Sequence, residues 1–257
     1  VTRFSMGVQA WQPRLLKTLG RIHSPEQVTR STETLRKAGV KNLNLDLIFG
    51  VPGQERHEWF ESLEKTTALS PEHISAYCLT YEEDTEFFRL RTKGKLREDP
   101  ELDAIFFEAT PAWLAEHGYE QYEISNFAKK DRESRHNLAY WQGAAYLGLG
   151  PSAWSTRGNR RWRNQPDTRN YVRSWLEKNC PLIDEEEILS KETLHNERVA
   201  FGLRLNQGIP HKWIENQEEY TRLKAAGYLR EKNRRCSLTP QGRLLADSIA
   251  ETLLVLP

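Results

Sequence analysis

NLNLDLIFGVPG, Asn42 to Gly53, is the stretch whose reading decides the fold. Leu43, Leu45 and Leu47 alternate with Asn42, Asn44 and Asp46, the two-residue period of a strand. Helical patterns flank it, SPEQVTRSTETLRKAG before and ERHEWFESLEKTTAL after. Strands alternating with helices imply a parallel sheet covered by helices, with both faces buried. The leucines then pack outward against helices. The polar row faces inward, where an ordinary βα barrel carries Val, Ile or Leu. Buried Asn and Asp without partners cost roughly a few kcal/mol each. A ligand near Asp46 and the Gly50–Gly53 turn would supply partners; a solvent-facing antiparallel strand is the plainer alternative.

Two similar units flank this stretch. Upstream, Phe4, Met6 and Val8 alternate with Arg3, Ser5, Gly7 and Gln9, predicting a strand over 3–9, followed by a short helical piece from Gln12 to Leu19. A helix opens at Pro25 with Ser24 as N-cap and Gln27 completing a capping box, and Gly39 ends it. Downstream come a helix over 55–69 and a strand from His73 to Thr80. The units repeat at roughly 30–35 residues, as βα units do. A charged connection (82–100), a helix over 101–117 interrupted by Pro111, and a strand over 119–124 follow. From Ser125 to Gly158 the pattern is irregular and rich in Gly and aromatics, which in compact proteins points to function.

Asp167–Lys178 is a further helix, and Cys180–Glu187, with Pro181 and an acidic run, reads as a linker. Beyond it helices over 191–205, 218–226 and 239–254, with a hairpin turning at Lys232–Arg234, form a small winged-helix-like α+β domain. The expected domains are 1–180 and 188–257. The Arg234–Arg235 wing is too small a basic patch to argue for nucleic acid.

Net charge is +1 over 257 residues, so no whole-chain field selects a polyanion. No apolar run approaches the roughly 20 residues of a membrane helix, which leaves only peripheral membrane contact open. Cys78, Cys180 and Cys236 are odd in number and fit no ligand spacing, pointing to a reducing, cytoplasmic setting. Cys78 is expected to play a buried apolar role. The chain opens Val-Thr-Arg directly in a strand pattern, which creates the expectation that a segment precedes residue 1 in the intact protein.

Gln9, Arg21 and Asp46 sit where strand ends and loops should meet. An amide, a guanidinium and a carboxylate on one rim suit a ligand with hydroxyls and a carboxylate. An Arg21–Asp46 ion pair knitting the fold is the alternative. Gly50-Val51-Pro52-Gly53 serves equally as a bend beside a ligand or a helix-capping turn. His136-Asn137-Leu138-Ala139-Tyr140 lies in the aromatic region, and histidine or tyrosine can ligate haem iron. Trp141, Tyr146 and Phe127 could then stack on the macrocycle, and Arg157, Arg160, Arg161 and Arg163 could meet propionates. A loop histidine in a polar network is the competing reading.

Together RFSMGVQAW, LGRIH, NLNLDLIFGVPGQ, PEHISAYCLT, GYEQYEISNFAK, RHNLAYW, YLGLGPSA and RWRN resemble the HemW-type haem chaperones. These belong to the radical S-adenosylmethionine superfamily, close to the oxygen-independent coproporphyrinogen III oxidases. The resemblance implies an α/β fold, the later part of a partial (β/α)6 barrel followed by the winged-helix-like domain. It implies that Gln9, Arg21 and Asp46 contact S-adenosylmethionine, with Ile48 and Tyr77 lining the pocket. It assigns His136, Asn137 and Tyr140, the HNxxY pattern, to haem, with His136 at the iron. The family's CxxxCxxC motif for a [4Fe-4S] cluster is absent from this sequence, which as it stands cannot ligate that cluster; a fragment of a longer protein is expected. The function implied is binding haem and passing it to recipient haemoproteins, respiratory ones among them. A dehydrogenase that oxidatively decarboxylates coproporphyrinogen III is the alternative.

Overall fold

A computed structural model of the chain describes residues 1–254 except Asp84, Lys95 and Arg97, so part of the 82–100 connection lies outside the described residues. By packing, the chain divides into two compact units, Val1–Ser134 and Arg135–Pro257.

In the first unit, β1 (Phe4–Gln9) is followed by α1 (Pro13–Thr18) and α2 (Pro25–Lys37), then β2 (Leu43–Phe49), α3 (Arg56–Ala68) and β3 (His73–Cys78). The Ser24–Gln27 capping box forms as the sequence implies. A short helix the charge pattern concealed, α4 (Glu86–Thr92), starts at Thr85, whose side chain accepts from Phe88 N. α5 (Pro100–Glu116) runs unbroken through Pro111. The proline removes one N–H, but Phe106, Thr110 and Leu114 remain buried, and the Trp59 indole donates to Thr110 Oγ1 at 2.9 Å.

β4 (Glu120–Glu123) and β5 (Asn126–Ala128) complete a five-stranded sheet of order β1-β2-β3-β5-β4. β1, β2 and β3 pair in parallel; β5 is antiparallel to both β3 and β4. The sheet is therefore mixed rather than all-parallel, and no closed barrel forms among the described residues. The tight turn at 124–125 reverses the chain without a helix, so β5 returns beside β3 in the opposite sense.

The sheet's two faces follow the residue alternation. Val8, Leu43, Leu45, Leu47, Ile74 and Phe127 join Trp59, Leu63, Phe106 and Leu114 in one buried core under α3 and α5. Ile48 packs instead on a smaller cluster of Ala10, Leu15, Leu16 and Val51 beside α1.

The expected irregular region, 125–158, holds β5 in the first unit and, in the second, α6 (Arg135–Trp141) and β6 (Trp154–Arg157); β7 (Arg160–Asn164) and α7 (Thr168–Lys178) follow it. The expected linker is β8 (Ile183–Ile188), antiparallel to β7. Its acidic side chains meet the arginines of β7, so a charged run that reads as solvated chain is held as a strand, and the packing division falls at 134/135. α8 (Lys191–Arg204), β9 (Ile209–Pro210), a 3-10 turn at 211–213, α9 (Gln217–Ala225), β10 (Leu229–Lys232) and β11 (Arg235–Leu238) follow. The last helical stretch breaks at Leu245 into α10 (Pro240–Leu244) and α11 (Ala246–Leu253). Asn233 and Arg234, at φ 53° and 58°, make the two-residue hairpin turn. Gly208 is required by a close approach: a Cβ there would lie 1.9 Å from Cys236 O. Among the described residues no helix is long and apolar enough to cross a membrane.

Leu45, fully buried between helices and sheet, carries the β2 alternation into the core. Leu45→Ala is expected to cost about 2–5 kcal/mol of unfolding free energy in urea titrations. A loss below about 0.5 kcal/mol would place Leu45 at the surface instead.

Candidate functional site

The polar face of the first unit's sheet is a connected hydrogen-bond network. Asn44 is its hub. Its Nδ2 donates to Ser5 Oγ (2.7 Å) and Asp46 Oδ1 (2.6 Å), and its Oδ1 accepts from His73 Nδ1 (2.6 Å) and Ser75 Oγ (3.2 Å). Ser5 Oγ donates in turn to Asp46 Oδ2 at 2.8 Å. The expected dependence of Asn44 and Asp46 on a ligand for partners is thus corrected: neighbouring strands supply them.

His73 is completely buried. Because Asn44 Oδ1 can only accept, His73 Nδ1 carries the proton and Nε2 accepts from the Tyr122 hydroxyl at 2.8 Å. Burial, helped by the Arg3 charge, pushes its pKa down to about 3, so the ring is neutral. His73, Ser75 and Tyr77 alternate along β3 as Asn44, Asp46 and Ile48 do along β2. That alternation in HISAYC was the available signal for His73 and Ser75, which the sequence reading did not select.

Gln9 closes β1 in a left-handed conformation (φ 65°), at a register shift between Gly7 and Gln9. Its amide folds back over Gly7, where a Cβ would lie 2.5 Å from Gln9 Nε2. Gly7 is therefore the space that Gln9 occupies. Arg21 is exposed, beyond α1, and among the described residues no ion pair joins it to Asp46. The loop carrying it is tied to β1 through His23 Nε2, which donates to Val8 O at 3.1 Å. Ile48 and Tyr77 are register partners at the C-terminal ends of β2 and β3, and Tyr77 is 40% exposed. The Gly50–Gly53 turn is a structural cap: Gln54 Oε1 accepts from Val51 N, and Arg14 donates to Gly53 O while pairing with Glu58. Cys78 is exposed rather than buried, at the strand's open end.

In the second unit, His136, Asn137 and Tyr140 lie on α6 rather than on a loop. One helical turn separates His136 from Tyr140, and their rings meet edge-to-face at 4.6 Å between centroids. Tyr140 meets Tyr146 at the same distance. His136 is exposed, so the structure presents its ring to solvent rather than enclosing it in a polar network.

Other expected haem contacts are corrected. Phe127 is buried in the first unit's core. Trp141 packs on Phe201 (6.0 Å) and under the Arg204 guanidinium (4.8 Å). Arg160 pairs with Glu186, Arg161 with Glu187 and Glu197, and Arg163 with Asp184 and Glu185. The register of β8 on β7, Arg161 opposite Glu187 and Arg163 opposite Glu185, makes these pairs, which spacing along the chain could not reveal. Among the described residues only Arg157 of the four has no ion-pair partner.

His73 links the network to pH. Its folded pKa of about 3 lies below its ordinary value of 6.5, so between these values the unfolded chain binds the extra proton. Its contribution is full above about pH 6.5 and falls as the pH drops toward 3, by up to about 1.4 kcal/mol per pH unit. Urea titrations between about pH 4.5 and 7 should show a shallower decline for His73→Gln than for the wild type. Parallel declines would remove His73 as the source.

Two family models match the chain: the radical SAM superfamily over residues 1–66, and the HemN C-terminal domain over 189–245. The curated "Heme chaperone HemW" of Bacillus subtilis (strain 168) is 35% identical over 262 residues, covering 97% of this chain and 68% of its own length. That of Mycobacterium tuberculosis (strain H37Rv) is 35% identical over 256 residues, covering 98% and 65%. The chain thus spans about two thirds of these relatives. Among solved structures, the coproporphyrinogen III oxidase HemN from Escherichia coli superposes with a TM-score of 0.79 at 22% identity, over 99% of this chain and 64% of that one. That likeness establishes the radical SAM type of α/β fold. With the Bacillus subtilis relative matched over nearly the whole chain and the radical SAM model over its first strands, the chain belongs to the HemW haem chaperone family of the radical SAM superfamily.

Proposed function

We propose that this protein is a haem chaperone that binds haem at α6 and passes it to recipient haemoproteins, in a cytoplasmic setting. The observation that carries the reading is the exposed His136 ring, held edge-on by Tyr140, which is itself held by Tyr146. An exposed imidazole offers a ring nitrogen to ferric or ferrous iron, and the aromatic edge restricts how the ring can turn. Asn137 and Tyr140 complete the haem-facing motif. Recipient proteins, respiratory ones included, are part of this reading.

The same reading places S-adenosylmethionine against the polar face of the first unit. Asp46 and Gln9 would hold hydroxyls and amide-reading edges, exposed Arg21 would take the carboxylate, and Ile48 and Tyr77 would line the apolar side. The carboxylate of Asp46 is oriented by Ser5 and Asn44, so its binding geometry is set before a ligand arrives. A [4Fe-4S] cluster of the superfamily's kind, where bound, would supply reducing power for S-adenosylmethionine chemistry. The cysteines of this chain are free, and no group of three or more His, Cys, Asp or Glu residues among the described residues is arranged to hold a metal. The residues present do not fit the cluster, and no radical step is assigned to them. The decarboxylating alternative gains no separate support, since the likeness to HemN is one of fold.

Haem titrated into the full chain should produce a shifted Soret band that His136→Ala weakens at least about tenfold in affinity, equivalent to about 1.4 kcal/mol. Equal spectra and equal affinity for the two proteins would reject the assignment.

A further inference from the structure

α6 is seven residues long, and none of them is buried. A helix this short is marginal in water, because the nucleating turn costs more than so few hydrogen bonds return. Side-chain pairs one turn apart, such as His136 with Tyr140, add too little to hold it. Something outside α6 must keep it in shape.

Its last residue supplies the anchor. Trp141 sets its ring edge-to-face on Phe201 of α8, 6.0 Å between centroids, and the Arg204 guanidinium covers it at 4.8 Å. Arg204 also meets Asp247 of α11 at 3.2 Å, but that carboxylate is 95% exposed and contributes little. Gly143, just past α6, lies against the same support: a Cβ there would be 3.7 Å from Arg198 Cγ. Arg198, Phe201 and Arg204 thus meet the C-terminal end of α6 at three-residue intervals along α8. α8 is firmly held, with Val199, Gly202 and Leu203 buried and Gly202 packed directly on Ile209. At 3.6 residues per turn, Trp141 lies about 140° around the helix from His136. Seating the indole on α8 therefore turns the imidazole away from it.

We propose that Trp141 is a positioning residue for haem binding, a clamp through which Phe201 and Arg204 hold α6 helical with His136 facing outward. The inference rests on the reading of α6 as the haem-binding helix. It gives the indole a task other than stacking on the macrocycle, since it acts through His136. The indole N–H is buried without a hydrogen-bond partner among the described residues. Ring contacts alone seat it, and a phenylalanine can make both of them.

The test titrates haem into the full chain, following the Soret band, and reads amide hydrogen exchange over 135–142 in the same variants. Trp141→Ala should bind haem about tenfold more weakly than the wild type, with faster exchange in α6 and unchanged exchange in α8 and α11. Trp141→Phe should stay within about threefold of the wild type. Arg204→Gln should fall between these two, and Asp247→Asn should match the wild type within about twofold. At saturation all four complexes should show the wild-type Soret maximum, because His136 remains the ligand. Equal losses for Trp141→Ala and Trp141→Phe, or a shifted maximum in either, would make the indole a haem contact and overturn the clamp. So would wild-type affinity in Trp141→Ala, or in Arg204→Gln if Trp141→Ala does not fold. Those results leave the haem reading standing, whereas equal affinity of His136→Ala and the wild type would overturn both.

Discussion

Asn44 uses its whole hydrogen-bonding capacity, two donors and two acceptor positions, on side chains from three adjacent strands. Everything on the polar face of the first unit follows from that. A buried amide this fully satisfied fixes the register of β1, β2 and β3, because a slip of one residue would move it into the apolar face and turn Leu43 and Leu45 toward the polar one. It also orients Asp46 from one side while Ser5 orients it from the other. That carboxylate is thereby held by strands rather than loops. His73 is the cost of the arrangement: the same amide that anchors the network selects one tautomer of a ring that acid would charge.

The second unit handles polarity in a different way. Its β7 arginines are answered one by one by the acidic strand β8 and by Glu197 of α8. The more exposed of these pairs, Arg160 with Glu186, contributes little by itself, but together they engage the arginines that an anionic ligand could otherwise use. On and beside the HNxxY helix, the rings of His136, Tyr140 and Tyr146 meet in edge-to-face sequence.

Much of the fold was legible because alternation and capping are local. The leucine and polar rows of 42–49, the Ser24 cap and the wing hairpin each depend on residues within a few positions of one another. The departures all concern partners distant in sequence. Pro111 stays inside α5 because Trp59 and the core hold that helix. IDEEEI becomes a strand because β7 sets Arg161 opposite Glu187 and Arg163 opposite Glu185, with Arg160 reaching Glu186. Phe127 is core because β5 turns back beside β3.

By itself the sequence determined the alternating strand that separates a leucine face from a polar one, the helices over it, and the order of motifs that marks the family, since each is written in the spacing of neighbouring residues. Only the tertiary structure decided what each polar side chain does. Asn44 is satisfied by Ser5, Asp46, His73 and Ser75, and Arg161 is paired with Glu197. Hydrogen bonds and ion pairs act over a few ångströms in space, and the folded backbone alone fixes which residues, tens of positions apart, come within that range.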